Sequence, residues 1–306
     1  MRTNHRALSF FLPPLKVHSW GGVGSQLFAY LAYLRLSKMY PKRHIKFIHH
    51  TGGITRREFA IFDLVERANL QIVDDFSRRE PKVGSKIPHL LRNFSLSKII
   101  RRFIGHLLKK SKLIVELNKS PDLALFRPWT LSTRGTYSNL SISVAELKYL
   151  ASHFLNLSSV DIISTNLICL HWRLDDLLNL TEKQPISPHR IQFTLNRCRA
   201  EIGLSEPIKL EVMSDSPERA LTEIRVFPET SDVEIITLNS YDFRRDIKRA
   251  IGAAYFIGTN SKISIWIILF RLVFNPSGKN NLCYELESNL DNLLSRAHPS
   301  SLIKFY

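Results

Sequence analysis

The segment His171-Trp172-Arg173-Leu174-Asp175-Asp176 follows the apolar run Leu167 to Leu170 and brings an imidazole, a guanidinium and carboxylates together within a few residues. Arg173 suits a diphosphate, because its planar fork stays charged at any working pH and bonds two phosphate oxygens at once. Such a charge-assisted bond is worth about 1.5–3 kcal/mol. It gains weight as a leaving nucleotide takes on charge in a transition state, and so becomes catalytic. Asp176 is placed to hold the guanidinium, and His171 to hydrogen-bond a base or ribose. The same spacing also describes a loop ion pair between Arg173 and Asp176 beside a satisfied, half-buried histidine. Two further polar clusters follow apolar runs. Ser214-Asp215-Ser216 stands after Ile208 to Met213, and Thr259-Asn260-Ser261 after Tyr255 to Ile257. The latter precedes a helix running through Trp266 to about Phe274, so its hydroxyls and first-turn amides are equipped either to receive phosphate or simply to cap the helix. The cluster around Asp215 is equally readable as a capped turn.

These clusters share one rim if the apolar runs are parallel strands, because ligands of open α/β sheets collect at the carboxyl ends of the strands. The runs at 167–170, 208–213, 233–237 and 255–257 each precede a helical pattern, and that alternation predicts a parallel sheet covered on both faces. Ser187-Pro188 and Ser216-Pro217 pair a capping side chain with proline at the first helical position, and Gly203 closes the helix after the first of them. The amino-terminal half opens likewise. A strand is predicted at Leu15 to Ser19, a turn at Gly21-Gly22-Val23-Gly24-Ser25, a helix from Gln26 to about Met39 and a second strand at Ile45 to His49, with Thr51-Gly52-Gly53 as its exit. Gly22 and Gly24 are candidates for close approach to a phosphate. The turn has Leu27 where a dinucleotide fingerprint wants Gly or Ala and lacks a Walker ending, so tight strand-to-helix packing is an equal reading.

At 306 residues the chain suits two lobes of roughly 150 residues each. We place them at 1–160 and 161–306, the boundary lying near Val160. A formal charge of +16 calls for an anionic partner, whether nucleic acid, a membrane surface or a phosphorylated small molecule. Much of it falls at 77–112, where Ile99, Ile100, Phe103, Ile104, Leu107 and Leu108 recur at helical spacing among lysines and arginines. A basic amphipathic helix is predicted there. Cys169, Cys198 and Cys283 form neither a disulfide framework nor a metal-ligand spacing. A reducing, cytoplasmic compartment is therefore expected. The apolar stretch from Ala7 to Leu12 is too short for a signal core, and Ile263 to Val273, interrupted by Arg271, is too short to span a bilayer.

In order along the chain, these segments resemble the GDP-fucose-dependent fucosyltransferases, most closely the bacterial alpha-1,2-fucosyltransferase family and its alpha-1,6 and protein O-fucosyltransferase relatives. Gly21-Gly22-Val23-Gly24-Ser25-Gln26-Leu27-Phe28 resembles that family's Gly-Gly-x-Gly-Asn-Gln-hydrophobic-Phe motif, and His171 through Asp176 fits its His-x-Arg-x-x-Asp signature. Ser214 to Pro217 resembles its Ser-Asp-Asp segment, and Thr259 to Trp266 its Asn-Ser-Thr-Phe-Ser-Trp-Trp segment. Ser25, Leu174, Asp175, Ser216, Lys262 and Ile265 depart from the family pattern. The resemblance implies an α/β, GT-B-like fold of two Rossmann-like lobes with a donor-binding cleft, and an inverting transfer of fucose from GDP-fucose to a glycan hydroxyl, without metal or other cofactor. Arg173 would bind the diphosphate, His171 and Asp215 the guanine side, and Ser261 a phosphate oxygen. Asp175, Asp176 and Glu182 are the carboxylates nearest that grip for a general base. We expect a nucleotide-sugar donor, a glycan acceptor of the lipid-linked kind, and contact of the basic helix with the anionic inner face of a membrane, with no nucleic-acid partner. The rival readings are a transferase using another nucleotide sugar and a non-enzymatic binder of anions or nucleic acid.

Overall fold

The chain opens as its pattern predicts, with strand β1 (Leu15–Trp20) running through Gly21 and Gly22 into helix α1 (Val23–Met39). The computed structural model describes residues 13–52, 56–75, 98–117, 125–138, 140–159, 164–174, 185–203, 208–227, 234–237, 243–259, 261–283 and 303–305. Gly21 has φ +86°, a left-handed conformation that side chains resist. The turn is then clamped by the fully buried amide of Gln26. Its Nε2 donates to the carbonyls of Gly21 (3.0 Å) and Glu58 (2.9 Å), and its Oε1 accepts from the Ala60 amide (2.9 Å). Strands β2 (Ile45–His50), β3 (Leu70–Val73), β4 (Ile114–Glu116) and β5 (Ser132–Arg134) complete a sheet of order β3-β2-β1-β5-β4, parallel throughout. Helix α2 (Lys98–Lys110) is the predicted basic helix. It is tied to the sheet by Lys109, whose Nζ lies 2.9 Å from Glu116 Oε2. Burial pushes the Glu116 carboxyl up, but Lys109 and Arg134 together outweigh it and hold the group below its ordinary value.

The second half contains helix α3 (Val144–Leu155), β6 (Ser164–Trp172), α4 (Pro188–Ile202), β7 (Lys209–Ser214), α5 (Pro217–Arg225), β8 (Glu234–Thr237), α6 (Phe243–Gly252), β9 (Ala253–Gly258), α7 (Lys262–Phe274), β10 (Lys279–Leu282) and β11 (Ile303–Phe305). Its sheet is again parallel, in the order β11-β10-β9-β6-β7-β8. Counted from β6 this is the doubly wound nucleotide-binding order, with its topological switch between β6 and β9. Alternation along β6 divides the helices. Ile168, Leu170 and Trp172 are buried with Ile191 and Leu195 of α4 and Ala220 and Ile224 of α5, whereas His171 on the other face meets α7. The α/β class predicted from the sequence, with two units each built on a Rossmann-like parallel sheet, is thus observed.

The chain divides into compact units Met1–Leu140 and Ser141–Tyr306. The division precedes Val160 because α3 packs against α6 and α7 and so belongs to the second unit. A capping box starts α3, with Ser143 and Glu146 each bonding the other's backbone N–H. Ser187 and Ser216 do stand before Pro188 and Pro217, but neither hydroxyl caps its helix. The Ser216 amide is taken instead by Ser214 Oγ at 3.1 Å. Gly203 closes α4 with φ +93°. The three cysteines are buried and form no disulfide with one another. Among the described residues no helix is long and apolar enough to cross a membrane.

Candidate functional site

Trp172 fixes the end of β6. Its indole is fully buried, and Nε1 donates to the Ile186 carbonyl at 3.1 Å, which sets His171 on the opposite face of the strand. Register then levels the strand ends, with His171 beside Gly258 of β9 and Trp172 beside Ser214 of β7. Arg173, Asp215, Thr259 and Ser261 therefore gather with His171 at the carboxyl edge, next to the switch between β6 and β9.

Hydrogen bonds hold this edge together. The Arg173 amide donates to Thr259 Oγ1 (3.3 Å) and the Leu174 amide to Asp215 Oδ1 (2.7 Å), so the loop after β6 is fastened to the loops after β9 and β7. Ser264, in the first turn of α7, accepts from the Thr259 amide (3.2 Å) and lies 2.7 Å from His171 Nδ1. Gly258 permits that approach. A Cβ there would stand 2.9 Å from the Ser264 Cβ, so a side chain would push α7 away from the histidine. Ser261 caps α7, its hydroxyl accepting from the Ile263 amide at 3.4 Å. It thus stands at the terminus of a helix whose first-turn amides and positive dipole end face the edge, the kind of place where anions are received.

Burial pushes the His171 imidazole down to about 4; the Arg173 charge adds to this and Asp215 opposes it. At neutral pH the ring is uncharged, and the positive charge at this edge is left to Arg173 and the helix terminus. An unfolded histidine titrates at about 6.5, so as pH falls from there towards 4 the unfolded chain takes up a proton that the folded chain refuses. Stability is lost with falling pH, by at most about 3 kcal/mol from this group. Denaturation of wild type and His171→Gln at neutral pH and near pH 4 should show the wild type losing up to that much more. Equal losses would place the ring in solvent.

Gly22 and Gly24 lie at the head of α1 in the first unit; Gly22 is the N-cap, and a Cβ on it would meet nothing within 4 Å. Asp175, Asp176, Glu182 and Asn260 fall outside the described residues. Ser264 and Thr259 hold the histidine and the arginine loop in ways the spacing alone does not express. The available signal was that Ser264 occupies the second serine of the Asn-Ser-Thr-Phe-Ser-Trp-Trp pattern. Among the described residues no group of His, Cys, Asp or Glu side chains is placed to hold a metal ion.

Fold and edge together define a protein of two Rossmann-like units, the second of which carries an arginine and a helix terminus where such sheets receive nucleotides. No family model and no curated protein matches the chain. Among solved structures it is similar to E. coli heptosyltransferase WaaC with ADP-2-deoxy-2-fluoro heptose, at 12% identity over 96% of this chain and 92% of that one, with a TM-score of 0.39. It is likewise similar to E. coli heptosyltransferase WaaC with ADP, at 13% identity over 90% and 88%, with a TM-score of 0.36. The fold class rests on the two parallel sheets themselves.

Proposed function

We propose that the chain is an inverting glycosyltransferase that takes its sugar from a nucleoside-diphosphate donor, GDP-fucose, and passes it to a hydroxyl of a glycan, in alpha-1,2 linkage. One observation carries the reading: the switch point of a nucleotide-binding sheet bears Arg173, the capped terminus of α7 and a neutral His171 together. Arg173 and the helix terminus would take the diphosphate and stabilise its growing charge as the sugar leaves, with no metal or other cofactor. His171 and Asp215 would face the base or ribose; one Asp215 oxygen already receives the Leu174 amide. Release of GDP from GDP-fucose with a galactoside acceptor tests the reading. Turnover with UDP- or ADP-sugars alone would replace the donor.

The acceptor is of the lipid-linked kind, and we propose that α2 rests on an anionic membrane. Phe103 and Leu107 are 63% and 47% exposed on a stripe shared with His106 and Lys110, an arrangement suited to insertion beside basic groups. Lys109 is spent on Glu116 and is not part of that surface. Co-sedimentation should show binding to phosphatidylserine vesicles and little to neutral ones, and the double change Phe103→Ser, Leu107→Ser should reduce it at least tenfold. Equal binding to both vesicle types would end the membrane proposal.

A further inference from the structure

Ser264, in the first turn of α7, stands behind the ring of His171 and lies with it in the second unit. Its side chain is fully buried, and its hydroxyl meets two groups among the described residues, the Thr259 amide at 3.2 Å and His171 Nδ1 at 2.7 Å. The amide can only donate, so it takes a lone pair of the hydroxyl oxygen. The hydroxyl hydrogen then has one acceptor in reach, the lone pair of His171 Nδ1. In the reverse arrangement Nδ1 would give a hydrogen to Ser264, and the hydroxyl hydrogen would be buried with no acceptor, a cost that the first arrangement avoids. The imidazole is uncharged at neutral pH and so carries one hydrogen. With Nδ1 accepting, that hydrogen is on Nε2. The ring is half-buried, and Nε2 is neither enclosed nor bonded by any described residue, so its N–H is presented at the carboxyl edge.

We propose that Ser264 is a positioning residue that fixes His171 as the Nε2–H tautomer, so that the ring meets the nucleotide as a hydrogen-bond donor to one of its acceptor atoms. That the ligand is a nucleotide rests on the glycosyl-transfer reading; the tautomer does not. The bonds run in one sense, from the Thr259 N–H to the Ser264 oxygen and from the Ser264 O–H to His171. Each polarises the next, which strengthens the N–H at the far side of the ring. A ring fixed the other way would offer a lone pair and ask the ligand for an N–H or O–H. Here the Arg173 guanidinium, the first-turn amides of α7 and His171 are all donors, so this part of the edge suits a ligand rich in acceptors. Ser264 acts only through His171. Without its hydroxyl, Nδ1 loses its partner, and neither the tautomer nor the tilt of the ring is held.

The test uses the full chain with histidine ring nitrogens labelled. Long-range proton–nitrogen spectra at neutral pH should show His171 protonated on Nε2 and bare on Nδ1, and GDP should shift the Nε2 proton without changing that pattern. Ser264→Ala keeps the start of α7, which Ser261 caps. It should move the His171 Nδ1 signal and weaken calorimetric GDP binding about threefold or more. His171→Leu should weaken binding roughly tenfold, the effect of losing a hydrogen bond to the ligand. His171→Gln, whose amide still offers an N–H, should recover part of that loss. His171 protonated on Nδ1, Ser264→Ala with unchanged His171 signals, or His171→Leu with full GDP affinity would overturn the proposal. A wild-type chain that binds none of GDP, UDP and ADP would sink the donor reading and the ligand with it, and the nitrogen spectra would still decide the tautomer.

Discussion

Arg173→Ala is expected to lower GDP-fucose turnover ten- to a hundredfold while leaving the unfolding midpoint close to that of the wild type. The size follows from the bond removed: a charge-assisted pair with phosphate is worth about 1.5–3 kcal/mol, and each tenfold in rate is about 1.4 kcal/mol. The fold should survive, because the fastening of the loop to Thr259 and of Leu174 to Asp215 uses backbone amides that alanine keeps. Arg173→Lys separates charge from shape. It retains the cation but not the two-pronged bond, so turnover between those of wild type and alanine is expected. Steady-state kinetics on the three proteins checks this. Unchanged turnover in the alanine variant would remove Arg173 from the reaction.

Arg271→Leu is expected to cost about 3–5 kcal/mol of stability, because it leaves several buried carbonyls without their donor, each at a cost of about 1–3 kcal/mol where no other donor replaces it. Arg271 is fully buried within α7. Its Nε donates to Asn280 Oδ1 (2.6 Å), and Nη1 donates to the carbonyls of Ala250 (2.6 Å), Ile251 (2.9 Å) and Ala253 (2.7 Å). Nη2 reaches those of Ala254 and Lys279, each at 3.2 Å. The physical need is plain. Helix α6 ends at Gly252 and β9 begins at Ala253, so there is no loop in which the last helical carbonyls can meet water. Arg271, helped by Asn275 Nδ2 to Ile251 and Ala253, supplies the missing donors and a cation at the helix C-terminus. Burial pulls the guanidinium down to about 10, which still leaves it charged at neutral pH. Gly278 belongs to the same arrangement, since a Cβ there would lie 2.4 Å from Arg271 Nη2. Urea denaturation measures the effect, and a loss below about 1 kcal/mol would mean that the carbonyls find other donors.

Where apolar residues run together, local pattern was enough. The strands ending at Trp172, Ser214 and Gly258, the helix after Gly21-Gly22 and the basic helix at Lys98–Lys110 were all legible, and with them the shared rim of His171, Arg173, Asp215 and Ser261. Strand β5 was not legible, because Ser132-Thr133-Arg134 has no apolar residue although Ser132 and Thr133 are buried. Strand β10, Lys279 to Leu282, likewise shows one apolar side chain. The Ser143–Glu146 capping box was present in the sequence and would have announced α3. Arg271 read only as an interruption of an apolar run, since its partners are carbonyls that any residue provides. The bond of His171 to Ser264 joins residues far apart in the chain, so no spacing rule carries it.

Isothermal titration of the full chain with GDP tests the account's central claim most directly, because it asks only whether the switch point of the second unit receives a nucleoside diphosphate. Wild type should bind at micromolar concentrations, and Arg173→Ala should bind at least tenfold more weakly, the loss of about 1.4 kcal/mol or more. Absence of binding by GDP, UDP and ADP alike, or equal GDP affinity in the two proteins, would contradict it.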